Sequence, residues 1–206
     1  MITVVDYGRG NLFSTGQALR HLGTPYEITD DAGAVERAER IILPGVGAFG
    51  DCMDGLRTRG LVEPLKRAAA RGVPMLGICV GAQVMLETGE EFGRHDGLGL
   101  VAGMVRRLPE GNGGPGSIRI PNVGWRALQA RNGFLEGTPE RAMVYFVHSY
   151  APFVARDEDV AATIAVNGVD VPVAFRCANV VGFQFHPEKS GPIGLDLIER
   201  FARFAF

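Results

Sequence analysis

The chain is short of cysteine, lysine and basic charge, and each shortage removes a class of explanation. Its three cysteines, Cys52, Cys79 and Cys177, are too few and too scattered for a disulfide framework and read as reduced thiols. No C-x-x-C pair, H-E-x-x-H pair or G-x-x-x-x-G-K-[ST] loop is present, so zinc and nucleoside-triphosphate chemistry have no motif. No metal or cofactor is expected. The 21 basic residues stand against 23 acidic ones, for a formal net charge of −2. A binder of nucleic acid or of anionic membrane would carry a basic excess. No apolar run approaches the ~18 residues of a membrane span, and the opening M-I-T-V-V-D has no basic segment ahead of a hydrophobic one. A soluble, cytoplasmic protein is expected.

What the chain has in plenty is glycine, 29 of its 206 residues, and many of these end an apolar run. The length fits one α/β-sized domain spanning residues 1–206, and the 46% hydrophobic content is enough for one core. In the first half, strand signals alternate with helix signals. Residues 2–6, 26–29 and 40–43 read as strands and residues 75–78 as a buried strand. Helical patterns follow Asn11, which is placed to cap, and span residues 51–57 and 61–71, with Gly60 and Gly72 as stops. A further helix is expected from Gly81 to Leu86. This order implies an open, mostly parallel sheet covered by helices on both faces. In the second half, residues 111–116 read as a loop and residues 143–150, 161–166, 171–176 and 180–185 as strands. Asn167-Gly168 marks a hairpin within what looks like an antiparallel extension. A last amphipathic helix is expected from Leu195 to Phe204.

The sharpest local feature is G77-I-C79-V-G81, between a buried strand and a helix. It has the form of a nucleophile elbow with cysteine in place of serine. The flanking glycines permit a tight turn, and the Val80 amide would point at whatever the sulfur binds. A buried, inert cysteine is the plain alternative. A nucleophile needs a base, and the base needs an orienting group. His21 and His95 read as solvated, and His148, within Y-F-V-H-S-Y, as readily as a core histidine. His186 ends an apolar run, with Glu188 two residues on, where strand alternation would point both the same way. That would put Cys79, His186 and Glu188 at carboxyl ends of strands, where open α/β sheets bind ligands.

G45-V-G47-A-F-G50 also matches the G-x-G-x-x-G pattern of dinucleotide-binding oxidoreductases. It follows the third strand rather than the first, and the next strand ends in Cys79 where an acidic residue should hold a ribose. Its other reading is a backbone loop that supplies an amide to an oxyanion.

Together these segments resemble the class I, triad-type glutamine amidotransferases, and within them the glutaminase subunits of imidazole glycerol phosphate synthase. The resembling stretches are D6-Y-G-R-G-N11, L43-P-G-V-G-A-F49, P74-M-L-G-I-C-V-G-A-Q83, G124-W125, Y145-F-V-H-S-Y150 and Q184-F-H-P-E-K-S190. The resemblance implies Cys79 as nucleophile, His186 as acid/base and Glu188 as its orienting carboxylate. Val46, Gly47 and Val80 would supply oxyanion amides, and Gly47, Gln83, Glu91, Ser149 and Tyr150 would contact L-glutamine. It also implies a separate (β/α)8-barrel cyclase as heterodimeric partner, contacted by Asn11, Trp125, Tyr145 and Lys189, with ammonia passing between the two in histidine biosynthesis. A paralogous glutaminase serving a surface-sugar amidination synthase is the alternative. The chain departs from the family at I120-P-N122-V-G-W125-R126, where V-P-H-x-G-W-N is usual. Asn122 and Arg126 are expected on the partner face, with Arg126 needing an acceptor on the partner.

Overall fold

The computed structural model describes residues 1–114, 116–130 and 133–203. Along the first half run β1 (Ile2–Val5), α1 (Leu12–His21), β2 (Tyr26–Thr29), α2 (Ala32–Arg37), β3 (Ile41–Gly45), α3 (Phe49–Thr58), α4 (Val62–Ala70), β4 (Met75–Cys79) and α5 (Val80–Gln83). Then come β5 (Leu86–Gly89), β6 (His95–Asp96), β7 (Val101–Arg107), β8 (Asn122–Ala127), β9 (Gln129–Ala130), β10 (Met143–His148) and β11 (Tyr150–Val154). The chain closes with β12 (Val160–Val166), β13 (Val169–Cys177), β14 (Val180–Phe183) and α6 (Gly191–Arg203).

The main sheet has the order β2-β1-β3-β4-β14-β13-β12-β9. Its first five strands are parallel and the remaining pairs antiparallel, as the alternating first half and hairpin-rich second half implied. Every residue of β1, β3, β4 and β14 is buried, the mark of a sheet covered on both faces. Helices α1 and α6 pack together, as do α2 and α4. Asn167 and Gly168 both have positive φ, 49° and 84°, and close the β12–β13 hairpin. Gly60 and Gly72 stop their helices at φ 66° and 81°.

The order of strands positions the site. Gly45 at the end of β3 sits opposite Cys79 at the end of β4, and Phe183 at the end of β14 sits opposite Ile78. Three segments therefore leave the same edge side by side: the loop after Gly45, the turn at Cys79 and the chain from Gln184 to Glu188. This is the carboxyl edge at which open α/β sheets build sites.

Several expectations need correction. The helix after Cys79 is one turn, and Leu86 begins a strand. Gly81 packs against the Leu43 carbonyl, and beyond Gln83 the chain turns away, Val84 accepting from the Leu98 amide. That strand, β5, belongs to a second sheet, β11-β7-β5-β6, absent from the sequence reading. Residues 143–150 are not one strand. The run breaks at Ser149: β10 pairs with β8 in a two-stranded ribbon, and β11 pairs with β7. His95 is only partly exposed, packing against Gly50 and the Phe49 ring. Asn11 stands at the N-cap of α1, but its side chain makes no capping bond. Pro115 of the 111–116 loop and Phe204 of the last helix lie outside the described residues. Among the described residues, no helix is long and apolar enough to cross a membrane and no His/Cys/Asp/Glu group could hold a metal ion.

Candidate active site

Cys79 has φ 56° and ψ −118°, a conformation that costs a non-glycine residue about 1–3 kcal/mol and persists only where the surroundings enforce it. The enforcement comes from both sides. A Cβ on Gly77 would lie 2.5 Å from Ala82 Cα, and one on Gly81 would strike the Leu43 carbonyl. Only glycines allow β3, β4 and α5 to meet this closely, so the G-x-C-x-G spacing is a steric requirement. The Val80 amide lies in the first turn of α5, where helical amides have no intrahelical acceptor.

His186 Nδ1 lies 2.8 Å from Glu188 Oε1, and both side chains are almost wholly withdrawn from solvent. The pair forms through the 3₁₀ turn Pro187–Lys189 and not through strand alternation, which corrects the geometry expected from sequence. Ser190 ties the turn down: its hydroxyl donates to the His186 carbonyl at 2.6 Å and accepts from the Tyr145 amide at 2.9 Å. Burial pushes the His186 pKa down, but hydrogen bonding and charge from Cys79 and Glu188 outweigh it and lift the imidazole to about 9. His186 Nε2 is also buried and has no hydrogen-bond partner within the protein.

Cys79 and His186 open into a cavity of about 340 Å³, within the range of small-ligand sites. Val46, Gly47, Val80, Gln83, Glu91, Ser149 and Tyr150 line it too, so every oxyanion and glutamine-contact candidate reaches one space. Glu91 Oε2 accepts from the Phe49 amide at the start of α3, at 2.9 Å, which fixes a carboxylate at the wall. Gln83 spends its amide hydrogens inside the protein, on Gln184 Oε1 and the Tyr150 carbonyl. The Val46 amide does not point into the cavity as an oxyanion donor would; it donates to the Arg9 carbonyl.

Sequence reasoning missed three features here. Gln184 is fully buried, and its Nε2 lies 3.7 Å from Cys79 Sγ. A glutamine inside the apolar run 180–185 was the available signal. His148 lines the cavity, and burial, with His186 nearby, holds its pKa down at about 4 against the pull of the Tyr150 carbonyl. Its Nδ1 faces that carbonyl, which can only accept, so Nε2 is free to accept from Asn122 Nδ2 at 2.9 Å. Arg126 Nε in turn donates to Asn122 Oδ1 at 3.0 Å. Asn122 is therefore not on the partner face: it is fully buried, and Arg126 finds its acceptor within the chain. The third feature is Asn11, expected at the interface, whose Nδ2 donates to Glu188 Oε1 at 3.1 Å.

The other interface candidates do share a surface. In the β8–β10 ribbon, Trp125 sits opposite Tyr145 and Val123 opposite Val147, so these side chains lie on one face. Trp125 is 47% and Val123 51% exposed, and the Trp125 and Tyr145 rings meet edge to face. Lys189 is exposed beside the catalytic turn.

Comparison with known proteins agrees with this geometry. Residues 3–203 match the family "Glutamine amidotransferase class-I". The chain is 45% identical to the imidazole glycerol phosphate synthase subunit HisH of Desulfitobacterium hafniense strain Y51, over 99% of this chain and 94% of that one. It is 45% identical to HisH of Moorella thermoacetica over 97% and 93% of the two chains, and 44% identical to HisH of Salinibacter ruber over 98% and 94%. Among solved structures, a glutamine amidotransferase superposes with a TM-score of 0.73 at 21% identity, covering 99% of this chain and 100% of that one. PurLQS from Thermotoga maritima gives 0.70 at 22%, covering 97% and 96%. At such identities the structures speak to fold alone. With its fold, its elbow cysteine and its full-length relatives in agreement, the chain belongs to the class I glutamine amidotransferases, in the branch of the imidazole glycerol phosphate synthase HisH subunits.

Proposed function

We propose that this chain, acting as one glutaminase unit over residues 1–206, hydrolyses L-glutamine and hands the ammonia to a (β/α)8-barrel cyclase. The cyclase uses that ammonia to make imidazole glycerol phosphate and AICAR in histidine biosynthesis. The observation that carries this reading is the strained Cys79 elbow opening into one cavity with His186, whose Nδ1 is bonded to the buried Glu188 behind it. Cys79 as thiolate attacks the carboxamide carbon of glutamine, and the oxyanion that forms is held by the Val80 amide and by an amide of the Val46–Gly47 loop. His186, as imidazolium, gives its proton to the amide nitrogen of the tetrahedral intermediate, whose C–N bond then breaks to release ammonia. The resulting γ-glutamyl thioester is opened by water that His186 deprotonates, releasing glutamate and the thiolate. Glu188 holds the ring through Nδ1. The α-ammonium of glutamine calls for a carboxylate, and Glu91 supplies one at the cavity wall.

Ammonia released into water is protonated and lost as a nucleophile, so a sealed transfer route must begin at the cavity. The apolar ribbon face supports docking there: Val147 is exposed on that face and also lines the cavity. Trp125, Tyr145 and Lys189 complete the proposed contact. The three free thiols suit a reducing, cytoplasmic setting. The test mixes this chain with the barrel cyclase of its own organism and follows glutamine-dependent formation of imidazole glycerol phosphate. Failure there, with support of a surface-sugar amidination synthase, would keep the glutaminase and reassign the pathway.

A further inference from the structure

We infer that Asn11 is a positioning residue of the triad, setting the Glu188 carboxylate toward His186 through the bond from its Nδ2 to Glu188 Oε1. The inference rests on the glutaminase reading above and deepens it. Asparagine at a helix N-cap ordinarily turns its side-chain oxygen onto the helix's own first-turn amides. Asn11 holds the N-cap position of α1 and forgoes that bond, while its backbone carbonyl accepts from both the amide and the hydroxyl of Thr15. The backbone is thus anchored, and the side-chain amide crosses to a residue 177 positions away in sequence.

The acceptor explains the arrangement. The Glu188 side chain is fully buried; Oε1 receives both His186 Nδ1, at 2.8 Å, and Asn11 Nδ2, at 3.1 Å, whereas Oε2 is buried with no partner in the protein. A buried carboxylate so lopsided is oriented at one oxygen only. Of the two donors there, His186 is the acid/base of the proposed reaction, so Asn11 is the one that takes no part in proton transfer. Asn11 is not among the residues that line the cavity, and its one side-chain bond goes to Glu188. The charged and titratable groups acting on His186 are Cys79 from the end of β4, Glu188 from its own turn and His148 from β10, with Lys189 exposed beyond. Among these only Glu188 is bonded to Asn11.

The experiment uses the complex with the barrel partner and two variants. Asn11→Ala removes the donor; Asn11→Asp keeps the shape but sets a carboxylate against Glu188. At saturating partner, Asn11→Ala lowers kcat for glutamine about tenfold, as befits loss of a hydrogen bond to a charged group, with KM within about twofold. Asn11→Asp moves the alkaline limb of the pH profile upward, because added negative charge favours the imidazolium. Ammonia-dependent synthesis stays unchanged in both. The inference is overturned if saturating partner restores Asn11→Ala to full kcat, which would make Asn11 an interface residue only, or if the Asn11→Asp profile superimposes on the parent's. A parent complex with no glutaminase activity at all would instead overturn the reading on which the inference rests.

Discussion

The Val46 amide donates to the Arg9 carbonyl, 2.8 Å away, although Val46 itself lines the cavity with Cys79. A donor spent on the protein's own backbone is not available to an oxyanion in this arrangement. Gly47, with φ 98° and nothing within 4 Å of where a Cβ would stand, lets the loop reorient at little steric cost.

Glutamate release by the isolated chain should therefore be slow and rise roughly 10²–10³-fold when the barrel partner and its ligand are bound, the effect of gaining one oxyanion donor. Steady-state glutaminase assays with and without partner check this. Equal rates would mean that the amide is not the switch.

The pH profile should carry the signature of His186. Its pKa is raised to about 9, so the imidazolium that protonates the leaving amide nitrogen is present below that pH and is lost as pH rises through it. The alkaline limb of kcat/KM should fall near pH 9 in the parent. Glu188→Gln removes one of the groups that raise the pKa and should move the limb to lower pH, besides lowering kcat. A limb that stays in place would separate Glu188 from His186 in function.

Two surface-proximal cations should behave oppositely. Arg126→Ala strands the buried Asn122 Oδ1 and should cost about 1–3 kcal/mol of stability, seen as a lowered Tm. Lys189→Ala should leave Tm within about 1 °C, as exposed side chains usually do, and weaken partner binding several-fold. Thermal melts together with titration of the partner distinguish the two. The reverse pattern would restore Arg126 to the interface.

How much of this was legible in the sequence differs by region. Where one residue's chemistry and its immediate neighbours decide the outcome, as at the G77-I-C79-V-G81 elbow or the Asn167-Gly168 turn, the reading and the structure coincide. The parallel sheet was legible because β1, β3, β4 and β14 are short apolar runs, most of them closed by a turn or glycine; β2, Y-E-I-T, is the half-buried exception. The second sheet was not, because β5 and β7 alternate polar and apolar residues only loosely and are held by pairing with distant segments. The same reason hid the links that cross the site. Nothing near Asn11 in sequence announces Glu188, and nothing near Asn122 announces His148. Asn122 and Arg126, expected on the partner face, are bonded to each other within the chain, Arg126 Nε donating to Asn122 Oδ1.

Cys79 is the one nucleophile proposed to release ammonia from glutamine, while the partner's chemistry needs only the ammonia. The most direct measurement is imidazole glycerol phosphate formation by the complex carrying Cys79→Ala, fed first with glutamine and then with an ammonium salt. The account predicts that the glutamine-fed rate falls to background while the ammonium-fed rate matches that of the parent complex. Appreciable glutamine-dependent synthesis by the Cys79→Ala complex would contradict it.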